Sequence, residues 1–207
     1  MTGVVIAEAV APAVVLASQS PARRRLLAAA GVVFQADSPR VDEEEVKRSL
    51  RAAGAKPEQA AEQLAELKAL KVSQRHPGAL VIGADQLLVC DGAWFDKPAD
   101  RAAALAQLEA LQGRTHRLVT ALVVARDGQR LWHHQEAPRI TLRQLERAQL
   151  ERYLEAAGEA VLSSVGAYHL EGLGAQLMLK VEGDHFTVQG LPLLPLLEFL
   201  RRNKALP

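Results

Sequence analysis

The sequence is short of the residues on which several kinds of protein depend. It has a single cysteine, Cys90, in an apolar run, so no internal disulfide can form, which suits a reducing cytosol. No Cys-x-x-Cys, His-Glu-x-x-His or EF-hand pattern occurs, which argues against zinc or structural calcium. The adjacent His133 and His134 lie on a strand-like run and point to opposite faces. Gly-x-x-x-x-Gly-Lys-Ser/Thr and Gly-x-Gly-x-x-Gly are absent, so neither a P-loop nor a Rossmann dinucleotide site is expected. No stretch approaches the ~18 uninterrupted apolar residues of a membrane span. No Lys or Arg precedes Arg23, so the basic leader of a secretory signal is missing, and the expectation is a protein that stays where it is made. Aromatics are only 4% of residues, too few for an obvious base-stacking platform. A net charge of +1 offers no basic excess for DNA or an anionic membrane.

What is present is an ordinary globular composition: 49% apolar residues and 25 Lys plus Arg against 24 Asp plus Glu in 207 residues, enough for one large domain or two small lobes. Strand-like runs at Val14 to Ala17, Leu80 to Ile82 and Leu87 to Cys90 alternate with helical patterns, which points to an α/β fold. Two of these runs are apolar on both faces, so the sheet they join should be covered on both sides. Helices are expected near Ala22 to Ala30, Pro57 to Arg75, Asp100 to Leu111, Gln144 to Ala157 and Leu193 to Arg202, with Gly113 closing the third. Asp91-Gly92, Asp127-Gly128 and Gly183-Asp184 read as hairpin turns, so antiparallel strands join a parallel core in a mixed sheet. Ser38 to Lys56 is polar, acidic at Asp42 to Glu45, and reads as a loop with a short helix.

The most informative segment is Val14 to Leu27, where an apolar strand passes through Ser18-Gln19-Ser20-Pro21 into a helix whose first turn carries Arg23, Arg24 and Arg25. A helix amino end already holds about half a unit of positive charge, so three arginines there are unfavourable unless an anion offsets them. Ser20 is a good N-cap, Pro21 suits the first helical position, and the hydroxyls of Ser18 and Ser20 lie beside free backbone N–H groups. The turn reads as a polyphosphate cradle, against the plain alternative of a solvated basic face.

Asp85, in Gly83-Ala84-Asp85-Gln86 between two apolar runs, calls for a cation, hydrogen-bond donors or a glycine bend that opens the strand into a cleft. Lys97 precedes Pro98, which holds it in an extended conformation. Lys68 sits beside the apolar stripe of the second helix, and Glu43 in its acidic run is a candidate ligand for a divalent ion. In Gly166-Ala167-Tyr168-His169-Leu170-Glu171-Gly172-Leu173-Gly174 the glycines allow a close backbone approach, and Glu171 could accept hydrogen bonds from a base edge. For Lys97, Glu43 and Glu171 a solvated surface position is the alternative.

Together these segments resemble the Maf family of nucleoside triphosphate pyrophosphatases, once described as septum-formation inhibitors. The resemblance runs from Val14 to Arg201 and rests on Leu16-Ala17-Ser18-x-Ser20-Pro21-x-Arg23-Arg24, Gly83-Ala84-Asp85, Lys97-Pro98, Leu111-x-Gly113-x-Thr115-His116, Gly166-Ala167-Tyr168 and Gly190-Leu191-Pro192. It implies one domain of two lobes with a cleft between them, built on an elongated mixed sheet, with residues 1–13 as an N-terminal extension. It also implies a cytoplasmic, often homodimeric house-cleaning hydrolase that cleaves a nucleoside triphosphate to the monophosphate and diphosphate with Mg2+ or Mn2+. Carried over by position, Ser18, Arg23 and Arg24 contact phosphate, Glu43, Lys68 and Lys97 are polar active-site residues, and Asp85 is the proton acceptor.

Water attack on the α-phosphorus needs neutralised phosphate charge, which Arg23, Arg24, Lys68, Lys97 and a metal held near Glu43 and Asp85 would supply, and a base, for which Asp85 is the choice. Three positions associated with base choice in the family hold Ala22, Gln86 and Glu171. The dTTP and UTP branch carries arginine, threonine and glutamine there, and the 7-methyl-GTP branch tryptophan, glutamine and glutamate. The chain matches the second branch at two of the three. Ala22 lacks the aromatic ring that would stack on a cationic purine, and Ser164 stands where the pyrimidine branch often has lysine. The expectation is a modified purine nucleotide, with a pyrimidine triphosphate and a non-catalytic nucleotide-binding regulator of division as the alternatives.

Overall fold

The computed structural model describes residues 11–207, so the expected N-terminal extension falls largely outside the described residues. In chain order the elements are β1 (Val14–Ala17), α1 (Pro21–Ala29), β2 (Gln35–Ala36), α2 (Glu43–Ala52), α3 (Pro57–Ser73), β3 (Leu80–Cys90), β4 (Ala93–Phe95) and α4 (Arg101–Leu111). There follow β5 (Thr115–Arg126), β6 (Gln129–Glu136), β7 (Arg139–Leu142), α5 (Arg147–Ala157), three 3-10 segments between Gly158 and Leu177, β8 (Met178–Glu182), α6 (His185–Val188) and α7 (Leu193–Arg202).

The eight strands form one mixed sheet in the order β2-β1-β3-β5-β7-β8, with β4 added to β3 and β6 to β5. Strand β1 runs parallel to β2 and β3, and the other pairings are antiparallel. The Asp91-Gly92 and Asp127-Gly128 turns are hairpins as expected. Gly183-Asp184 is not: Gly183 follows the end of β8, and the Asp184 carboxylate caps α6 by accepting the Thr187 N–H. A good N-cap outcompetes a hairpin when the residues after it bury an apolar turn, as Val188 does here.

The two runs Leu80 to Ile82 and Leu87 to Cys90 belong to one unbroken strand, in register with β5 from Val81 to Val89. Gly83 does not bend it. A Cβ at Gly83 would collide with the backbone carbonyl of Ala65 and lie 2.7 Å from the Ala69 nitrogen, so glycine lets α3 lie directly on the sheet. The segment after Ser38 also carries more order than expected, since Asp42 caps a ten-residue helix, α2, through the Glu45 N–H. Its three first-turn glutamates complement the helix dipole, and none of its residues is buried.

Burial on both faces of β3 follows from its layers. Ala65, Ala69, Leu87, Val89 and Val123 pack between the sheet and α3. On the opposite face Leu27, Ile82, Ala84, Leu122, Leu196 and Leu200 join α1 and α7 to the sheet. Farther along, α4 and α5 cover Leu88, Leu118 and Ile140. Strand β1 pairs with β3 only as far as Gly83, and β4 pairs with it only from Leu88. Among the described residues, 84–87 therefore have no strand on that edge. The site lies at this break, beyond the carboxyl end of the parallel strand β1, where α/β sheets commonly hold ligands.

Candidate active site

The chain leaves β1 at Ala17 and turns into α1 through Ser18, Gln19 and Ser20. The Ser20 hydroxyl accepts the Arg23 N–H at 3.4 Å, which sets the helix start. The Ser18 hydroxyl accepts the Ser20 N–H at 3.2 Å and an Arg23 Nη1–H at 3.3 Å. Arg23 Nε donates to the Gly190 carbonyl at 2.7 Å, tying this turn to the start of α7. Burial lowers the Arg23 pKa from its usual value, against the opposing pull of Asp85 and Glu43.

The three arginines do not act as one face. Consecutive helical residues are turned about 100° apart, so only Arg23 points into the site. Arg24 is exposed and reaches the Ser18 carbonyl from outside at 3.5 Å. Arg25 pairs with Glu171 at 2.7 Å across the rim. Of the three arginines expected to hold phosphate, Arg23 borders the cleft, whereas Arg24 lies against the Ser18 carbonyl behind it.

Facing Arg23 is a buried cation between two acids. Lys68 Nζ lies 2.7 Å from Asp85 Oδ1 and 2.9 Å from Glu43 Oε1, and the Lys68 and Asp85 side chains are each 4% exposed. Asp85 Oδ2 is buried and, among the described residues, has no hydrogen-bond partner, which is costly for a carboxylate oxygen and marks a place for a donor or a cation. Burial acts to raise the Glu43 pKa, but Lys68, Lys47 and Arg23 outweigh it and leave Glu43 below its usual value. The Lys97 pKa is lowered, first by burial and then by Arg23, Lys68 and Lys47, with Glu43 opposing.

These groups line one cleft of about 420 Å³. Of the residues singled out in the sequence, Ser18, Ala22, Arg23, Glu43, Lys68, Asp85, Gln86, Lys97 and Glu171 all border it, and Arg24 does not. Lys47 and Asp96 also border it and were missed; they pair at 3.1 Å, with Arg51 on the other Asp96 oxygen. The signal for Lys47 was its spacing, one helical turn after Glu43. Cations and acids share the walls, so the cleft is not a plain anion trap. Among the described residues no three His, Cys, Asp or Glu side chains form a ready-made metal cage.

Behind the wall, Tyr168 borders the cleft and its hydroxyl lies 2.6 Å from His116 Nε2. Burial pushes the His116 pKa down to about 4, so the ring is neutral in the folded protein. A histidine lowered from an unfolded value near 6.5 contributes its full stability above pH 6.5 and loses it as pH falls towards 4. The loss amounts to about 3 kcal/mol at most. Thermal melting between pH 7 and 4 should show this limb, and His116→Phe should flatten it; an equally steep acid limb in the variant would assign it to other groups.

The model of the family described as Maf-like protein matches residues 13–203. The chain belongs to the Maf family. It is similar to proteins named nucleoside triphosphate pyrophosphatase from Paramagnetospirillum magneticum (60% identity over 191 residues, 92% of this chain and 98% of that protein) and Rhodospirillum rubrum (53% over 198 residues, 96% and 98%). A protein of Brucella abortus named 7-methyl-GTP pyrophosphatase is 49% identical over 192 residues, 93% of this chain and 96% of its own. In this Maf protein the mixed α/β sheet flanked by helices agrees with the fold expected from the sequence. Among the described residues no helix is long and apolar enough to cross a membrane.

Proposed function

We propose that this Maf protein hydrolyses a nucleoside triphosphate to the monophosphate and diphosphate. The observation that carries the reading is the meeting, in one cleft, of Arg23, Lys68 and Lys97 with a buried aspartate whose second oxygen has no partner among the described residues. Arg23, steadied by Gly190 and Ser18, and Lys97 bind the phosphate tail, and Lys68 holds Asp85 and Glu43 in place. Asp85 takes a proton from water as its oxygen attacks the α-phosphorus; the bond from that phosphorus to the bridging oxygen breaks, and diphosphate leaves with the electron pair. Lys97, on the wall of the same cleft, is placed to stabilise the charge that gathers on the leaving group.

The residues present fit a divalent cation. Mg2+ is commonly held by one or two carboxylates with substrate phosphates completing its shell, and Asp85 Oδ2 and Glu43 are the two carboxylates here. Bound there, such an ion supplies charge neutralisation and polarisation of the phosphate oxygens.

For the base, Gln86 and Glu171 favour a purine of the 7-methylguanine kind, in line with the name of the Brucella relative, while Ala22 leaves out a stacking ring. The working unit is read as a cytoplasmic homodimer of single-domain subunits, on the family resemblance. The deciding assay is diphosphate release by the purified protein with Mg2+ or Mn2+ on a panel of GTP, 7-methyl-GTP, UTP, dTTP and CTP. Catalytic release with 7-methyl-GTP foremost is expected; release led by dTTP or UTP would move the chain to the pyrimidine branch. Stoichiometric binding without diphosphate would make it a nucleotide-binding regulator.

A further inference from the structure

Asp96 carries two cations on one carboxylate: Lys47 Nζ lies 3.1 Å from its Oδ1 and Arg51 Nη2 lies 2.8 Å from its Oδ2. The two are held differently. The Arg51 guanidinium lies over the Trp94 ring, 5.2 Å from the centroid, and donates to the Trp94 carbonyl at 3.5 Å. Arg51 is thereby fixed against β4, and it does not border the cleft. Lys47 does border the cleft, and among the described residues Asp96 is its one salt-bridge partner.

Asp96 itself is anchored through its backbone. Its carbonyl accepts from Gln107 Nε2 on α4 at 2.7 Å, and Gln107 Oε1 accepts the Gly166 N–H at 3.1 Å. The Asp96 carboxylate is 42% exposed, whereas the Lys47 side chain is 12% exposed. An ion pair with a carboxylate so open to water is weak. A lysine ammonium on its flexible stem also re-aims its donors easily, which a stacked guanidinium does not. With Arg51 in place, Asp96 stays neutralised when Lys47 leaves. Lys47 is near enough to Glu43 and Lys97 for its charge to lower the pKa of each, so it rests beside the groups read above as meeting phosphate and metal.

We infer that Lys47 is a further phosphate-binding residue, which leaves Asp96 for the phosphate tail when a nucleotide enters, while Arg51 stays behind to neutralise Asp96. The inference deepens the pyrophosphatase reading, on which it rests for the polyphosphate nature of the ligand. The plain alternative is a clamp, in which the Lys47–Asp96 pair only pins α2 to the segment after β4.

The two roles differ in sign. Lys47→Met and Asp96→Asn break the same pair, so for a clamp both weaken phosphate binding. For a transferred cation the first weakens it and the second, by removing the competitor, strengthens it. The probe is inorganic diphosphate with Mg2+, titrated calorimetrically into the wild type and the variants, because it reports on the phosphate site whatever the base. Lys47→Met should raise its Kd about tenfold, the contribution of one charge-assisted hydrogen bond, and Lys47→Arg should recover part of the loss. Asp96→Asn should lower the Kd about threefold, as the release of a weak pair allows. That gain should disappear in the Lys47→Met background. An equal gain in both backgrounds would make Asp96 a remote charge, and a Kd that does not fall in Asp96→Asn would make the pair a clamp; either overturns the inference. An unchanged Kd in Lys47→Met does the same, as does a wild type that binds no diphosphate. Should Lys47→Met not fold, Lys47→Gln carries the same expectation. A wild type that binds diphosphate yet releases none from any triphosphate sinks the hydrolase reading alone, and the same titrations still decide the role of Lys47.

Discussion

Asp85→Asn should lower kcat by about 10²–10⁴-fold, the range a general base contributes, while nucleotide affinity stays within a few-fold of the wild type. Asparagine keeps the shape and leaves an oxygen to accept from Lys68 at the 2.7 Å position, so the α3–β3 contact survives. What disappears is an oxygen able to take a proton, along with one negative charge beside a polyanion. Removing the charge favours binding, losing one carboxylate for the cation opposes it, and losing the base stops chemistry, so kcat falls far more than affinity changes. Calorimetric titration of the variant with the preferred triphosphate, alongside diphosphate release, would check both halves. Turnover within tenfold of the wild type would remove Asp85 as the base.

Gly83→Ala should be the most damaging single-methyl change in the fold. The backbone at Gly83 is ordinary extended strand, so the problem is space: the new Cβ meets the Ala65 carbonyl and the Ala69 nitrogen, backbone atoms that cannot swing aside. Overpacking of this kind costs about 3 kcal/mol or more. For a chain of this size that lowers the melting temperature by about 6–12 °C. Ala69→Gly should not rescue it, because the Ala65 carbonyl remains. Activity should fall further than stability alone accounts for, since α3 carries Lys68 and any retreat of the helix withdraws the ammonium from Asp85. A melting temperature within about 2 °C of the wild type would show that α3 has more play than its packing against the sheet implies.

Much of this was legible in the sequence where one signal dominated. Strand β1, helix α7 and the two Asp-Gly hairpins fell where periodicity and turn chemistry placed them, and Asp85 stood out because a carboxylate inside an apolar run needs a partner. Legibility failed where two causes give one pattern. Gly83 reads equally as a bend and as a close helix approach, and only the position of α3 decides between them. Three arginines in a row suggest a single patch, yet the helical period scatters them, a correction available from spacing alone. Lys47 and Asp96 come from separate elements and carry no shared motif, so their pairing depends on how α2 crosses the cleft. The amide of Gln86 was named from the sequence, but its orientation is set by Thr120 and by backbone 101 and 102 residues farther along the chain.

The alternation of β3 at its open edge has an evolutionary reach. Neighbouring positions 85 and 86 look out through different sides of the sheet, one onto the helix that supplies the ammonium, the other onto the carbonyls that end α6. On the proposed reading, substitutions on the Gln86 side can reshape the cleft while Lys68 and Asp85 keep their pairing on the other. A lineage built this way is free to diversify its diet while keeping its teeth.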